Sequence, residues 1–314
     1  MMTILLAMAL AGAVPMSVAT EVEAPGPLGP LKATMLAPAD APRAPIVLIV
    51  PGSGPTDRDG NNPLIGKPAS LRLLAEGLAA NGIASVRIDK RGMFGSKAAI
   101  TDANRVTIGD YAADVAAWVA AIRKQTGAPC LWVLGHSEGG LVALAGAHAE
   151  GVCGLVLMAT PGRPLGEVLR EQLTANPANA PILPQALPAV DALEAGKTVD
   201  VSTFHPALQQ LFNPAVQPYF IDLMRYDPAK LIAAAGKPVL IVQGMRDVQI
   251  AGKDAEALKA ADPAARLVMM PNMNHVLKPV ASDDRAATVA TYGDPNLPLA
   301  PGLVEAVAAF VKEG

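Results

Sequence analysis

The stretch VLGHSEGGLVAL, Val133 to Leu144, runs from apolar residues into three glycines around one serine and back into apolar residues. Gly135, Ser137 and Gly139 satisfy G-x-S-x-G, directly after a strand-like run and directly before a helix-like one. A strand that turns at once into a helix forces the serine between them into a strained backbone conformation, and side chains at the flanking positions would strike adjacent elements. Ser137 is therefore a candidate nucleophile. On these residues alone it is also explicable as a small residue in a tight turn.

Outward from this stretch, short apolar runs alternate with longer amphipathic segments. The runs are PIVLIV (45–50), IASVRI (83–88), LWVLG (131–135), GLVLMA (154–159), PVLIVQ (238–243) and RLVMM (266–270). Helical patterns fall over 70–82, 107–127, 138–149 and 301–314, the second opening with Thr107 and Asp110 and closing with Gly127. Such alternation predicts a mostly parallel sheet covered by helices, an α/β fold. GPLGPLKATMLAP, ahead of the first run, is expected to supply an antiparallel edge hairpin. The alternation breaks over 161–236, where proline punctuates short apolar pieces and Leu, Phe, Tyr and Met remain to be buried. This region reads as an inserted helical cap, leaving 20–160 and 237–314 as the core. A second irregular stretch, Lys278 to Ala300, reads as a long loop.

A serine hydroxyl is a weak nucleophile until a base accepts its proton, and the base needs a carboxylate to orient it. Of the four histidines, His136 lies inside the turn and is aimed away from the serine, His148 ends the following helix, and His205 is in the insertion. His275, just beyond the last strand, is the candidate base. Asp247, four residues past PVLIVQ, is the candidate acid. Asp227 is its rival but sits inside the insertion, and a loop aspartate is most often a turn residue. Ser137, Asp247 and His275 each follow a separate strand, so a parallel sheet brings all three to one edge. For the oxyanion, the backbone N–H of Glu138 and that of Ser53, in the glycine-rich PGSGPTDRDGNN after the first run, are the candidate donors. A plain glycine turn is the alternative reading of the latter stretch. Asp57, Arg58 and Asp59 are expected to brace that loop.

With these residues in place, the sequence resembles the α/β-hydrolase superfamily over nearly its whole length. GSGPTDRDGNN, DKRGMFGS and LGHSEGG are similar to segments of bacterial carboxylesterase-like hydrolases that carry a helical cap between the sixth and seventh strands. The resemblance implies hydrolysis of small to medium acyl esters through an acyl-serine intermediate. Ser137 would be nucleophile, Asp247 the orienting acid, His275 the base, and Ser53 with Glu138 the oxyanion donors. The segment after IASVRI departs from the superfamily's common D-x-R-G-x-G-x-S: Asp89, Arg91, Gly92, Gly95 and Ser96 are spaced D-x-R-G-x-x-G-S, which weakens the comparison with proline iminopeptidases. That segment reads as structural, with Arg91 tying loops together.

Leu211, Phe212, Tyr219, Phe220 and Met224 of the insertion are expected to line an apolar substrate pocket or to pack within the insertion itself. An aminopeptidase or acyltransferase on the same scaffold is the alternative; a peptidase would need a pocket carboxylate, for which Glu167, Glu171, Asp222 and Asp227 are available. A non-catalytic binding protein is a third reading.

The 314-residue chain is 51% hydrophobic with a net charge of −3, ample for a full core and too weak in field to argue for nucleic acid as a partner. No cofactor or metal site is expected, because four scattered histidines and two cysteines make no ligand set. The apolar block near the N-terminus resembles a secretory signal peptide spanning 1–19, cleaved after Ala19, although no Lys or Arg precedes it. It is too short for a stable membrane anchor. A secreted or periplasmic protein is therefore expected, in which Cys130 and Cys153, at the starts of two strands, either form a disulfide or remain small buried residues. Oligomeric state and the identity of the ester are left open.

Overall fold

Four runs that carry apolar residues at successive positions, with no polar face to offer water, require cover on both sides. In the computed structural model, which describes residues 16–282 and 284–314, they form the centre of a sheet. Among the described residues the strands are β1 (Ser17–Ala24), β2 (Leu31–Pro38), β3 (Ile46–Val50), β4 (Ala84–Ile88), β5 (Leu131–His136), β6 (Val152–Met158), β7 (Val239–Gly244) and β8 (Arg266–Met270). Their order is β1-β2-β4-β3-β5-β6-β7-β8. β1 and β2 form an antiparallel hairpin whose second strand also runs antiparallel to β4, and all later neighbours pair in parallel.

Alternate residues of β3 divide between two cores: Leu48 and Val50 join one, Val47 and Ile49 the other. The second core is closed by α1 (Ser70–Ala80) and the C-terminal helix. The first is closed chiefly by α2 (Ile108–Thr126) and α3 (Glu138–Ala145). α2 starts where a capping box joins Thr107 and Asp110, and stops at Gly127, whose φ of 74° favours glycine.

Between β6 and β7 the chain forms α4 (Leu165–Ala175), α5 (Leu183–Glu194), α6 (Pro206–Leu211), α7 (Gln217–Leu223) and α8 (Pro228–Ala234). Helices α4 to α7 enclose an apolar cluster of their own, whereas α8 contributes Ile232 to the sheet's first core. The long stretch before the last helix is not featureless: α10 (Arg285–Ala290) lies in it, after α9 (Gly252–Ala261), which connects β7 to β8, and before α11 (Leu303–Glu313).

The first fifteen residues of the expected leader lie outside the described residues. Its last three, Ser17–Ala19, are the exposed start of β1, facing Pro38, Ala37 and Leu36 of β2. Cys130 and Cys153 are joined by a disulfide with a Cα–Cα separation of 5.3 Å, tying the start of β5 to the start of β6. No helix of the described residues is long and apolar enough to cross a membrane.

Candidate active site

The carboxyl ends of parallel strands gather the loops that follow them at one edge of the sheet. Here the loops after β3, β5, β7 and β8 bring Ser53, Ser137, Asp247 and His275 to that edge. Ser137 turns β5 into α3 at φ 56° and ψ −122°, a conformation an L-residue adopts only under constraint. Its glycine neighbours have specific reasons. A side chain on Gly135 would overlap the backbone of Gly139, one on Gly139 would overlap the backbone of Val50 at the end of β3, and one on Gly140 would run into Thr160.

His275 and Asp247 meet as the chain order predicts. The carboxylate accepts from His275 Nδ1 at 2.8 Å, leaving Nε2 for the cleft. Both side chains are nearly sealed from solvent. Asp247 also accepts from the backbone N–H groups of Gln249 (2.7 Å) and Ile250 (2.9 Å) and from Gln243 Nε2 (3.3 Å). These donors fix which oxygen faces the imidazole. Ser137 and His275 wall the same cleft as Gly52 and Ser53. The rival carboxylate, Asp227, caps the N-terminus of α8 through Ala229 and Lys230.

Three contributors carried no sequence signal of their own. His136 borders the same cleft as Ser137 and binds the candidate base: its Nε2–H donates to the carbonyl of His275 at 2.8 Å. Desolvation first, then the neighbouring His275, depress its pKa to about 4, so it is a neutral donor. Gln243, the polar end of an apolar strand, holds Asp247. Lys90, just past β4, is buried with its ammonium 2.6 Å from the carbonyl of Gly52 and 3.1 Å from Glu138 Oε1.

The bracing expected of 57–59 takes a definite form. Arg58 pairs with Asp89 at 2.7 Å and with Glu21, Asp59 pairs with Arg87, and Asp57 accepts from the backbone of Asp59 and Asn61. Arg91 binds Asp110 and Asp114 on α2 at 2.9 and 2.6 Å.

A cavity of about 520 Å³ opens beside Ser137, between the sheet edge and the insertion. Leu211, Tyr219 and Phe220 border it as expected, together with Leu141, Val168 and Leu223. Phe212 and Met224 do not: both pack inside the insertion's own apolar cluster, Phe212 with no exposed surface. Composition marked all five as apolar, and the turn of each short helix decides which face inward.

Residues 46–291 match the model of the Alpha/beta hydrolase family. The chain belongs to that family. It is 30% identical over 237 residues to Esterase EstD of Thermotoga maritima, a match covering 74% of this chain and 54% of EstD, so the chain spans about half the length of that relative. Among solved structures, the Pyrococcus furiosus esterase Pf2001 superposes with a TM-score of 0.60 at 17% identity, covering 94% of this chain and 91% of that one. The proline iminopeptidase of Mycobacterium smegmatis does so with a TM-score of 0.57 at 16% identity, covering 94% and 98%. At those identities the two hydrolases share the fold with this chain, and the reaction has to be argued from the site.

Proposed function

We propose that this member of the alpha/beta hydrolase family is a serine esterase acting on small to medium acyl esters. The observation that carries the reading is the His275–Asp247 pair at 2.8 Å, set beside a serine in a strained strand-to-helix turn. Ser137 Oγ attacks the acyl carbon while His275 Nε2 takes its proton, and the tetrahedral oxyanion is held by the N–H groups of Ser53 and Glu138. Collapse expels the alcohol, protonated by His275. Water, activated by the same imidazole, then attacks the acyl carbon, releasing the acid and returning the proton to Ser137.

The insertion, 161–236, acts as the cap that shapes the pocket, and the kinship with Esterase EstD supports the ester as substrate. An aminopeptidase needs a carboxylate free to hold an ammonium. Glu171 is paired with Arg163 and Lys253, Asp222 accepts from the N–H of Ile108, Asp227 caps α8, and the cavity's borders include neither these nor Glu167. Export through a leader ending at Ala19, to the periplasm or outside the cell, accords with the Cys130–Cys153 bond.

Purified protein is expected to turn over p-nitrophenyl acetate and butyrate, and Ser137→Ala to lose that turnover. Full activity in the variant would sink the assignment. Release of naphthylamine from aminoacyl-β-naphthylamides instead of ester turnover would move it to the peptidases.

A further inference from the structure

A buried ion pair stands at the nucleophile turn, both partners bordering the cavity beside Ser137, and the ester-hydrolysis steps leave it without a task. The Lys90 side chain is 2% exposed and that of Glu138 6%. Taking two charges out of water costs several kcal/mol per ion, and a hydrophobic pair of similar volume often serves stability as well. What distinguishes this pair is where its hydrogen bonds go.

We infer that Lys90 is a positioning residue that locks the two oxyanion donors in register, gripping the Gly52 carbonyl on one loop and the Glu138 side chain on the other. The inference rests on the serine-esterase reading.

The planar peptide links its ends. The carbonyl of Gly52 and the N–H of Ser53 belong to one trans peptide unit and point in opposite directions, so a cation anchored on the oxygen fixes where the N–H aims. Lys90 Nζ holds that oxygen at 2.6 Å. The same contact polarises the unit and strengthens its N–H as a donor. The second donor is the N–H of Glu138, whose own carboxylate lies 3.1 Å from the same nitrogen.

Close packing alone does not supply this register. Gly139 lets the turn rest on the backbone of Val50 and Pro51, which sets how near the two loops come. That contact does not itself set the rotation of the Gly52–Ser53 peptide, next to Gly54 at φ 62°; Thr56 Oγ1 donates to the following carbonyl, that of Ser53, at 2.8 Å, and the Gly52 carbonyl is left to Lys90. Lys90 reaches across from β4, a third strand, and the face of Tyr111, 5.2 Å from its nitrogen, backs the ammonium. The lysine thus triangulates the two loops from a fixed strand end. This gives the Glu138 side chain a role that the G-x-S-x-G spacing does not specify.

Donors placed in advance act on the transition state and scarcely on the bound substrate. Lys90→Met is therefore expected to lower kcat for p-nitrophenyl butyrate about 10- to 100-fold, with KM changed less than about threefold. An alkyl trifluoromethyl ketone, whose adduct with Ser137 carries an oxyanion in the same place, should lose affinity in parallel with kcat/KM. Because Lys90→Met strands a buried carboxylate, Lys90→Met/Glu138→Gln is the second variant, and it should show the same kcat loss without the unpaired charge. Lys90→Ala should recover activity with ethylammonium chloride and not with sodium chloride. A double variant with kcat within twofold of a labelled, active wild type overturns the clamp alone. Failure of the wild type to take a fluorophosphonate label overturns the serine reading, and the clamp with it.

Discussion

Two histidines far apart in sequence, one at the end of β5 and one in the loop after β8, have their rings 5.0 Å apart, and each is useful only if the other keeps its place. His136 must be neutral to donate Nε2–H to the His275 carbonyl without setting a second cation against the base. Its depressed pKa makes folding depend on pH with a definite sign. The unfolded imidazole titrates at 6.5, its ordinary value, and the folded one at about 4. Between these values the unfolded chain binds more protons, so the stability His136 contributes is complete above pH 6.5 and is lost as pH falls to about 4. Thermal midpoints measured at steps from pH 7 to 4 should fall through this window, and His136→Gln, which keeps an N–H donor but does not titrate, should fall less steeply. Parallel curves for the two proteins would remove His136 as the cause.

At the scale of elements, the Cys130–Cys153 bond closes a loop that holds β5, α3 and the start of β6, and Ser137 lies inside it. A cross-link over a sequence separation of 23 residues restricts the unfolded chain more than the folded one. Cys130→Ser/Cys153→Ser is expected to lose about 3 kcal/mol in denaturant unfolding, and reductant should lower the wild-type midpoint while leaving the variant unmoved. A loss below about 0.5 kcal/mol would show that close packing of β5 on β6 already restricts this loop. These two strands were also the plainest in the sequence, because residues buried on both faces give unbroken apolar runs. The shared edge of the three candidate residues was legible for a related reason: in a parallel sheet, residues just past separate strands gather at one edge. α9 gave no such sign, since it buries only Asp254, Ala255 and Leu258 and presents the rest to solvent. β1 was hidden by the leader-like composition around it, and only its last residues, Val22 and Ala24, alternate as a half-buried strand should. The split of the five apolar insertion residues between cavity and cluster depends on short helices whose orientation is set by tertiary packing, which no local pattern encodes.

For the whole molecule, the central joint is the one that seats the insertion on the sheet. Arg163, just past β6, grips Asp254 at the start of α9 with two bonds, Nε to Oδ1 at 3.1 Å and Nη2 to Oδ2 at 2.8 Å, and reaches Glu171 on α4 at 2.8 Å. Gln172 on α4 donates to the carbonyl of Gln249, two residues past Asp247. Arg163 also borders the cavity, so α4, the start of α9 and the pocket wall share one guanidinium. The Asp254 side chain has no exposed surface, whereas that of Arg163 is 20% exposed. Removing the arginine leaves a buried carboxylate that, among the described residues, keeps only the Gly162 N–H at 3.1 Å, a loss of the kind that costs more than the pair contributes. Arg163→Ala should therefore destabilise the protein by about 2 kcal/mol, allowing for water at the arginine. It should also raise KM more than it lowers kcat and speed proteolysis within 161–236. Asp254→Asn in the Arg163→Ala background removes the stranded charge and should recover part of the stability while KM stays raised, because the neutral amide relieves burial but cannot restore the grip on α4. If the double variant regained the wild-type KM, the insertion would be held by its apolar contacts with the sheet, and Arg163 would matter only as a counter-ion.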